Sequence, residues 1–170
     1  GVSGGNEVVT LLNRGDGSFD DFIFPTGTAV DRSARGLAVA DFNTDGNIDA
    51  AVVGTGDDGL EVLFGNGDGT FTLVQKFEDT TDFASAVAVA DMNGDGALDI
   101  VDASQFDDLV NVFLNDGSGV FTLGPTVTVG ASPTGIALAD FNGDQSIDIA
   151  VVSSFTDTIE LLINDGSAGF

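Results

Sequence analysis

A fixed internal period constrains this chain more than any other feature. Leu37-Ala38-Val39-Ala40-Asp41-Phe42-Asn43 recurs as Ala86-Val87-Ala88-Val89-Ala90-Asp91-Met92-Asn93 and again as Ile136-Ala137-Leu138-Ala139-Asp140-Phe141-Asn142. Asp41 and Asp91 lie 50 positions apart, and Asp91 and Asp140 lie 49 apart. A second marker, an Asn-led turn closed by Phe, keeps the same step from Asn13 to Phe19, Asn66 to Phe71, Asn115 to Phe121 and Asn164 to Phe170. Two markers that stay in phase at this spacing imply stacked copies of one supersecondary unit.

Each unit reads as four short strands, because apolar and β-branched runs of strand length are separated by Gly, Asp and Asn clusters with no helical spacing between them. In the best-defined unit the runs cover about 36–41, 49–53, 60–64 and 71–77. The Asn-Gly and Asp-Gly turns favour positive φ, as tight hairpins demand, and join the third strand to the fourth. The first two strands, such as Ala50-Ala51-Val52-Val53 and Ile149-Ala150-Val151-Val152, show little polar alternation and read as covered on both faces. Small Ala side chains suit inner strands near an axis. Phe71, Phe77, Phe113 and Phe121 suit the wider space further out.

Four-stranded units in radial array make an all-β fold of the β-propeller kind, which closes with typically about 4–8 blades. Residues 1–170 then form a single repeat array: a partial blade over 1–24, blades over 25–77 and 78–129, and a blade lacking its last strand over 130–170. About three repeats plus a partial N-terminal blade predict an excerpt of a larger propeller. Self-association through open blade faces is the alternative.

Between the first and second strands of each unit lies an acidic loop of nine residues, with oxygen-bearing side chains at its first, third, fifth and ninth positions. The sets are Asp41, Asn43, Asp45 and Asp49; Asp91, Asn93, Asp95 and Asp99; and Asp140, Asn142, Asp144 and Asp148. The seventh residues, Asn47, Ala97 and Ser146, would add a backbone carbonyl. Calcium takes six to eight oxygen ligands, and a tight loop turns alternate side chains inward. Three carboxylates in one loop repel unless a divalent cation neutralises them. A solvated acidic hairpin explains one such loop equally well, but not three copies at the same point of the repeat. About three Ca2+ sites are therefore expected. Ile48, Leu98 and Ile147, at the eighth positions, would anchor the loops to the core.

An EF-hand begins with the same spacing, but its twelfth position requires a bidentate Glu where this chain has Val52, Asp102 and Val151, and the flanks read as strands. Magnesium keeps several waters and suits such a cage less well. At the sixth position Gln145 replaces Gly46 and Gly96, so the Asp140–Asp148 site is expected to be the weaker one.

Asp-Phe-Asn-x-Asp-Gly-x-x-Asp followed by Asn-Gly-Asp-Gly-x-Phe resembles the FG-GAP or VCBS repeat, the calcium-binding blade of integrin α-subunit propellers and of many bacterial surface proteins. The Gly-Ala-Pro element of the integrin version is absent. The resemblance implies a propeller with calcium loops on one face, extracellular or at the cell surface, serving adhesion or recognition of a protein or glycan ligand.

Composition narrows the function classes. Against 28 Asp and Glu stand only Arg14, Arg32, Arg35 and Lys76, a net charge of −24, which disfavours nucleic acid and anionic membranes as partners. No apolar run is long enough to insert in a bilayer. His, Trp, Tyr and Cys are missing, removing the commonest general base, the best sugar-stacking rings and any thiolate site. Paired acids could hydrolyse glycosides, but every regularly placed acid is committed to a loop, and Asp57, Asp58, Asp102, Asp107 and Asp108 read as surface charge. Arg14-Gly15-Asp16 spells an integrin-recognition tripeptide, yet it occupies the turn every unit contains. No N-glycosylation sequon occurs. These readings favour a non-catalytic calcium-binding scaffold or adhesion module. A carbohydrate-binding, lectin-like propeller is the first alternative, and an accessory domain of a larger secreted enzyme the second.

Overall fold

A computed structural model describes residues 8, 10–18, 34–54, 58–78 and 83–170. The partial blade is described only at Val8 and Thr10–Ser18, so the strand expected over Phe19–Phe24 lies outside the described residues, as does Asp57. The architecture is all-β, in three open antiparallel sheets. The first holds β1 (Ala34–Ala40), β2 (Asp49–Gly54), β3 (Asp58–Gly65) and β4 (Phe71–Glu78). The second holds β5 (Ala84–Ala90), β6 (Asp99–Ser104), β7 (Leu109–Asn115) and β8 (Phe121–Thr128). The third holds β9 (Pro133–Ala139), β10 (Asp148–Ser153) and β11 (Thr158–Leu162). Strand order follows chain order in every sheet, so each unit is a simple meander of the propeller-blade kind.

The sheets pack face to face through their first two strands, β5 against β1 and β2, and β9 against β5 and β6. Small residues set this approach: a Cβ on Gly36 would lie 2.7 Å from a Val53 methyl and 3.0 Å from one of Val87. The first interface buries Ala51, Val53, Leu60 and Val62 against Ile100 and Phe113. The second buries Val101, Val110 and Val112 against Met92, Ile149 and Val151. Phe77, Phe113 and Phe121 fill space between the first two sheets as expected, whereas Phe71 borders the open cavity of the first sheet. Phe77 meets Phe113 at 4.7 Å between centroids, and Phe42 meets Phe121 edge-on at 5.3 Å. Further out the Gln75 side-chain amide pairs with the Phe121 backbone, accepting its N–H at 3.0 Å and donating to its carbonyl at 2.7 Å.

The expectation that all first and second strands are covered on both faces holds for β2 and β6, which are buried throughout. It fails elsewhere. Leu37 and Val39 on β1 and Val152 on β10 are about half exposed, because these faces meet no neighbouring sheet among the described residues. Leu37, Val39, Ile48 and Ala50 instead line a cavity of about 520 Å3 shared with Val8 and Phe71.

The surface-charge reading fails for Asp102. This residue shares a face of β6 with Ile100 and is fully buried, at the position filled by Val52 and Val151 in the sister units. Burial pushes its carboxyl up to about 7; the Asn111 amide, donating to Oδ1 at 2.9 Å, opposes this and the Asp107 charge reinforces it. Oδ2 has no hydrogen-bond partner. A carboxyl whose pKa rises on folding costs stability as pH climbs from the unfolded value towards the folded one, and the loss is complete above both. Asp102→Asn keeps an acceptor for Asn111 and removes the titration. Denaturant melts should show the variant gaining on the order of 4 kcal/mol over the wild type at pH 8 and nothing at pH 3.

Candidate metal centres

The three acidic loops share one hydrogen-bond pattern, which follows from their sequence position by position. The first Asp uses both carboxylate oxygens on the backbone ahead of it: Asp41 accepts from the N–H of Asp45 at 3.1 Å and of Gly46 at 2.9 Å. Asp91 does the same with Asp95 and Gly96, and Asp140 with Asp144 and Gln145. The third-position Asn carbonyl also accepts from the fifth-position N–H, at 3.0, 3.0 and 2.8 Å in Asn43, Asn93 and Asn142. The fifth Asp then accepts from the seventh-position N–H, at 2.7 Å for Asp45 and 2.8 Å for Asp95 and Asp144. For Asp144 these bonds, that from Ser146 foremost, hold the carboxyl below its ordinary range.

The ninth Asp is different in kind. Asp49, Asp99 and Asp148 are fully buried, and each carboxylate joins two parts of the chain. One oxygen accepts from the second-position N–H, of Phe42, Met92 or Phe141, at 2.9 to 3.0 Å. The other accepts at 2.9 Å from the last backbone N–H of the third-strand segment, in Gly65, Asn115 or Asn164. Burial pushes Asp99 up, backed by the charges of Asp95 and Asp91, while its bonds from Asn115 and Met92 pull it down. A carboxylate in this position demands a nearby positive charge or a proton.

Two further residues tie one loop to the next. Asn115 donates from Nδ2 to the Phe42 carbonyl of the first loop at 2.9 Å and to the Leu98 carbonyl of the second at 3.1 Å. Asn164 repeats this with Met92 at 2.7 Å and Ile147 at 2.9 Å. From sequence these looked like turn residues only. Their signal is that Asn stands there in both later units, where the first unit has Gly65, whose Cβ would collide with the Ile48 carbonyl oxygen.

The residues expected to ligate metal fall in three separate loops, one per sheet. The Asn47 and Ser146 side chains lie against Gly67 and Gly166 of the adjoining hairpins. Leu98 and Ile147 pack on the core as anchors. Ile48 does not: it is 57% exposed and faces the open cavity. Gln145 takes the left-handed conformation, φ 77°, that Gly46 and Gly96 hold at 90°. Thr44 carries a similar strain at the fourth position, φ 59°, where the other loops have Gly94 and Gly143. Only the Asp91–Asp99 loop has glycine at both turns.

The donor set is all oxygen, carboxylate and amide, which fits a hard divalent cation. Among the described residues the acidic side chains do not converge in a group of three as they stand; those of Asp41, Asp45 and Asp49 accept from backbone N–H groups, as do their counterparts. The Arg14-Gly15-Asp16 triplet sits at an exposed tip whose Asp16 is held by the Ser18 N–H and hydroxyl, as Asp68 is by Thr70.

Removing the Asn115 amide strands two carbonyls and releases one loop from the next. Asn115→Ala should cost about 2–3 kcal/mol in chemical denaturation, and hydrogen exchange should quicken in both the Asp41 and Asp91 loops. Asn66→Ala, at an exposed turn, should be near neutral.

No curated protein matches the chain. Residues 41–101, which run from the first Asp of the first loop into β6, match the family model described as an FG-GAP-like repeat, so this stretch of the chain is of FG-GAP-like type.

Proposed function

We propose that this chain is a non-catalytic, calcium-binding module of the extracellular propeller type, which presents its sheets as a scaffold for adhesion or protein interaction. One observation carries the reading: three loops, one per sheet, repeat the same oxygen donors in the same backbone frame. The FG-GAP-like match over residues 41–101 supports it, since such repeats are typical of extracellular proteins.

In each loop the first, third and fifth side chains, the seventh carbonyl and the ninth carboxylate would hold the ion. The bound cation supplies positive charge that offsets the repulsion among three carboxylates. The chain's own residues do the remaining work. The ninth Asp fixes the loop to the third-strand segment, and Asn115 and Asn164 transmit that order to the preceding loop.

The backbone strain sets an order among the sites. The Asp91–Asp99 loop is the most relaxed and should bind most tightly, with Thr44 weakening the first loop and Gln145 the third. Relief of a left-handed non-glycine residue is worth about 1 kcal/mol, so Gln145→Gly should raise affinity in its loop about fivefold by calorimetry. Binding to the folded form alone raises stability by mass action. Thermal melts should therefore shift upward when calcium replaces chelator, and identical melts would defeat the calcium reading.

A further inference from the structure

The strand ends opposite the acidic loops carry a second repeated feature. The turn from β6 to β7 is Gln105-Phe106-Asp107-Asp108, and the turn from β10 to β11 is Ser154-Phe155-Thr156-Asp157. Phe106 and Phe155 stand 49 positions apart, one repeat, and are 67% and 83% exposed. Asp108 and Asp157 hold the same left-handed conformation behind them, with φ 58° and 52°. Neither ring belongs to the buried core clusters.

The two tips are braced against one another. Ser132, in the connection between the second and third sheets, accepts from Gln105 Nε2 at 2.9 Å and bonds the Ser154 hydroxyl at 3.3 Å. Its N–H donates to Asp108 at 2.7 Å, and its carbonyl accepts from the Ser154 N–H at 2.9 Å. Both turns are thus fixed to one residue, which sets their spacing before any partner arrives.

A ring beside Phe106 already holds a guanidinium. Phe83 stacks on Phe106 at 4.2 Å between centroids, and the Arg35 guanidinium lies 4.5 Å from the Phe83 centroid. Two groups this close to one ring must take its opposite faces, so the order is Arg35, Phe83, Phe106. The outward face of Phe106 continues this stack into solvent. Asp107, Asp108 and Asp157 flank the rings, and the whole chain carries −24 charges. An aromatic face rimmed by carboxylates attracts cations, guanidinium above all.

We propose that Phe106 and Phe155 form a recognition face for an extended arginine-rich peptide, whose guanidinium groups stack on the two rings while its charge is met by the flanking Asp residues. This surface does not depend on metal binding at the opposite end of the strands. Bulk negative charge alone would also draw a basic peptide, so the test must separate rings from charge. Fluorescence anisotropy with a labelled oligo-arginine peptide at physiological ionic strength should show Phe106→Leu/Phe155→Leu binding about tenfold more weakly than wild type, with net charge unchanged. Both side chains are exposed, and leucine retains an apolar group, so the variant tests the ring itself. Equal affinity of variant and wild type, or no binding by wild type, would overturn the proposal. So would binding of neutral oligosaccharides that these substitutions abolish while peptide binding stays unchanged.

Discussion

A buried carboxylate at the start of each second strand is the interaction on which the rest depends. Asp49, Asp99 and Asp148 accept a backbone N–H from the loop that precedes them and another from the segment that ends the third strand. A single side chain thereby joins the first-to-second connection to the third-to-fourth hairpin. Without it, two backbone donors at a buried strand end would go unmet, each at a cost of about 1–3 kcal/mol. The acid cannot be spared, because each of its two oxygens holds a different part of the chain.

From this constraint the inter-sheet geometry follows. Once the ninth Asp has taken the N–H of Phe42 or Met92, that residue's carbonyl and side chain face the next unit. The carbonyl receives Asn115 or Asn164, and the side chain enters the next core, Phe42 on Phe121 and Met92 within the cluster of Val112 and Ile149. Phe141, with no following sheet among the described residues, keeps the bond to Asp148 but is 46% exposed. Sheet packing and loop order are therefore one cooperative unit repeated along the chain. The acids that make the loops repulsive are also the acids that hold them in place.

Much of this was legible in sequence because it recurs. The four-strand meander, the loop positions and the FG-GAP-like stretch over residues 41–101 all follow from markers that keep phase. What escaped was relational. Asn115 and Asn164 look like ordinary turn residues until the preceding loop is brought against them. Ile48 matches Leu98 and Ile147 in chemistry, but its exposure depends on which face of the first sheet has a neighbour. Thr44 is illegible for a simpler reason: only the backbone shows that the fourth position, Gly94 and Gly143 in the other loops, requires positive φ. Asp102 read as surface charge because one acid among 28 carries no periodic signal of its own, and only the alternation of β6 places it inside.

As proposed above, the three loops are cation sites built on a shared frame. The decisive measurement is calorimetric titration of chelator-treated protein with calcium. Three ions bound per chain, with the tightest step abolished by Asp91→Ala alone, is the predicted result. An absence of saturable binding, or a tightest step indifferent to that substitution, would contradict it.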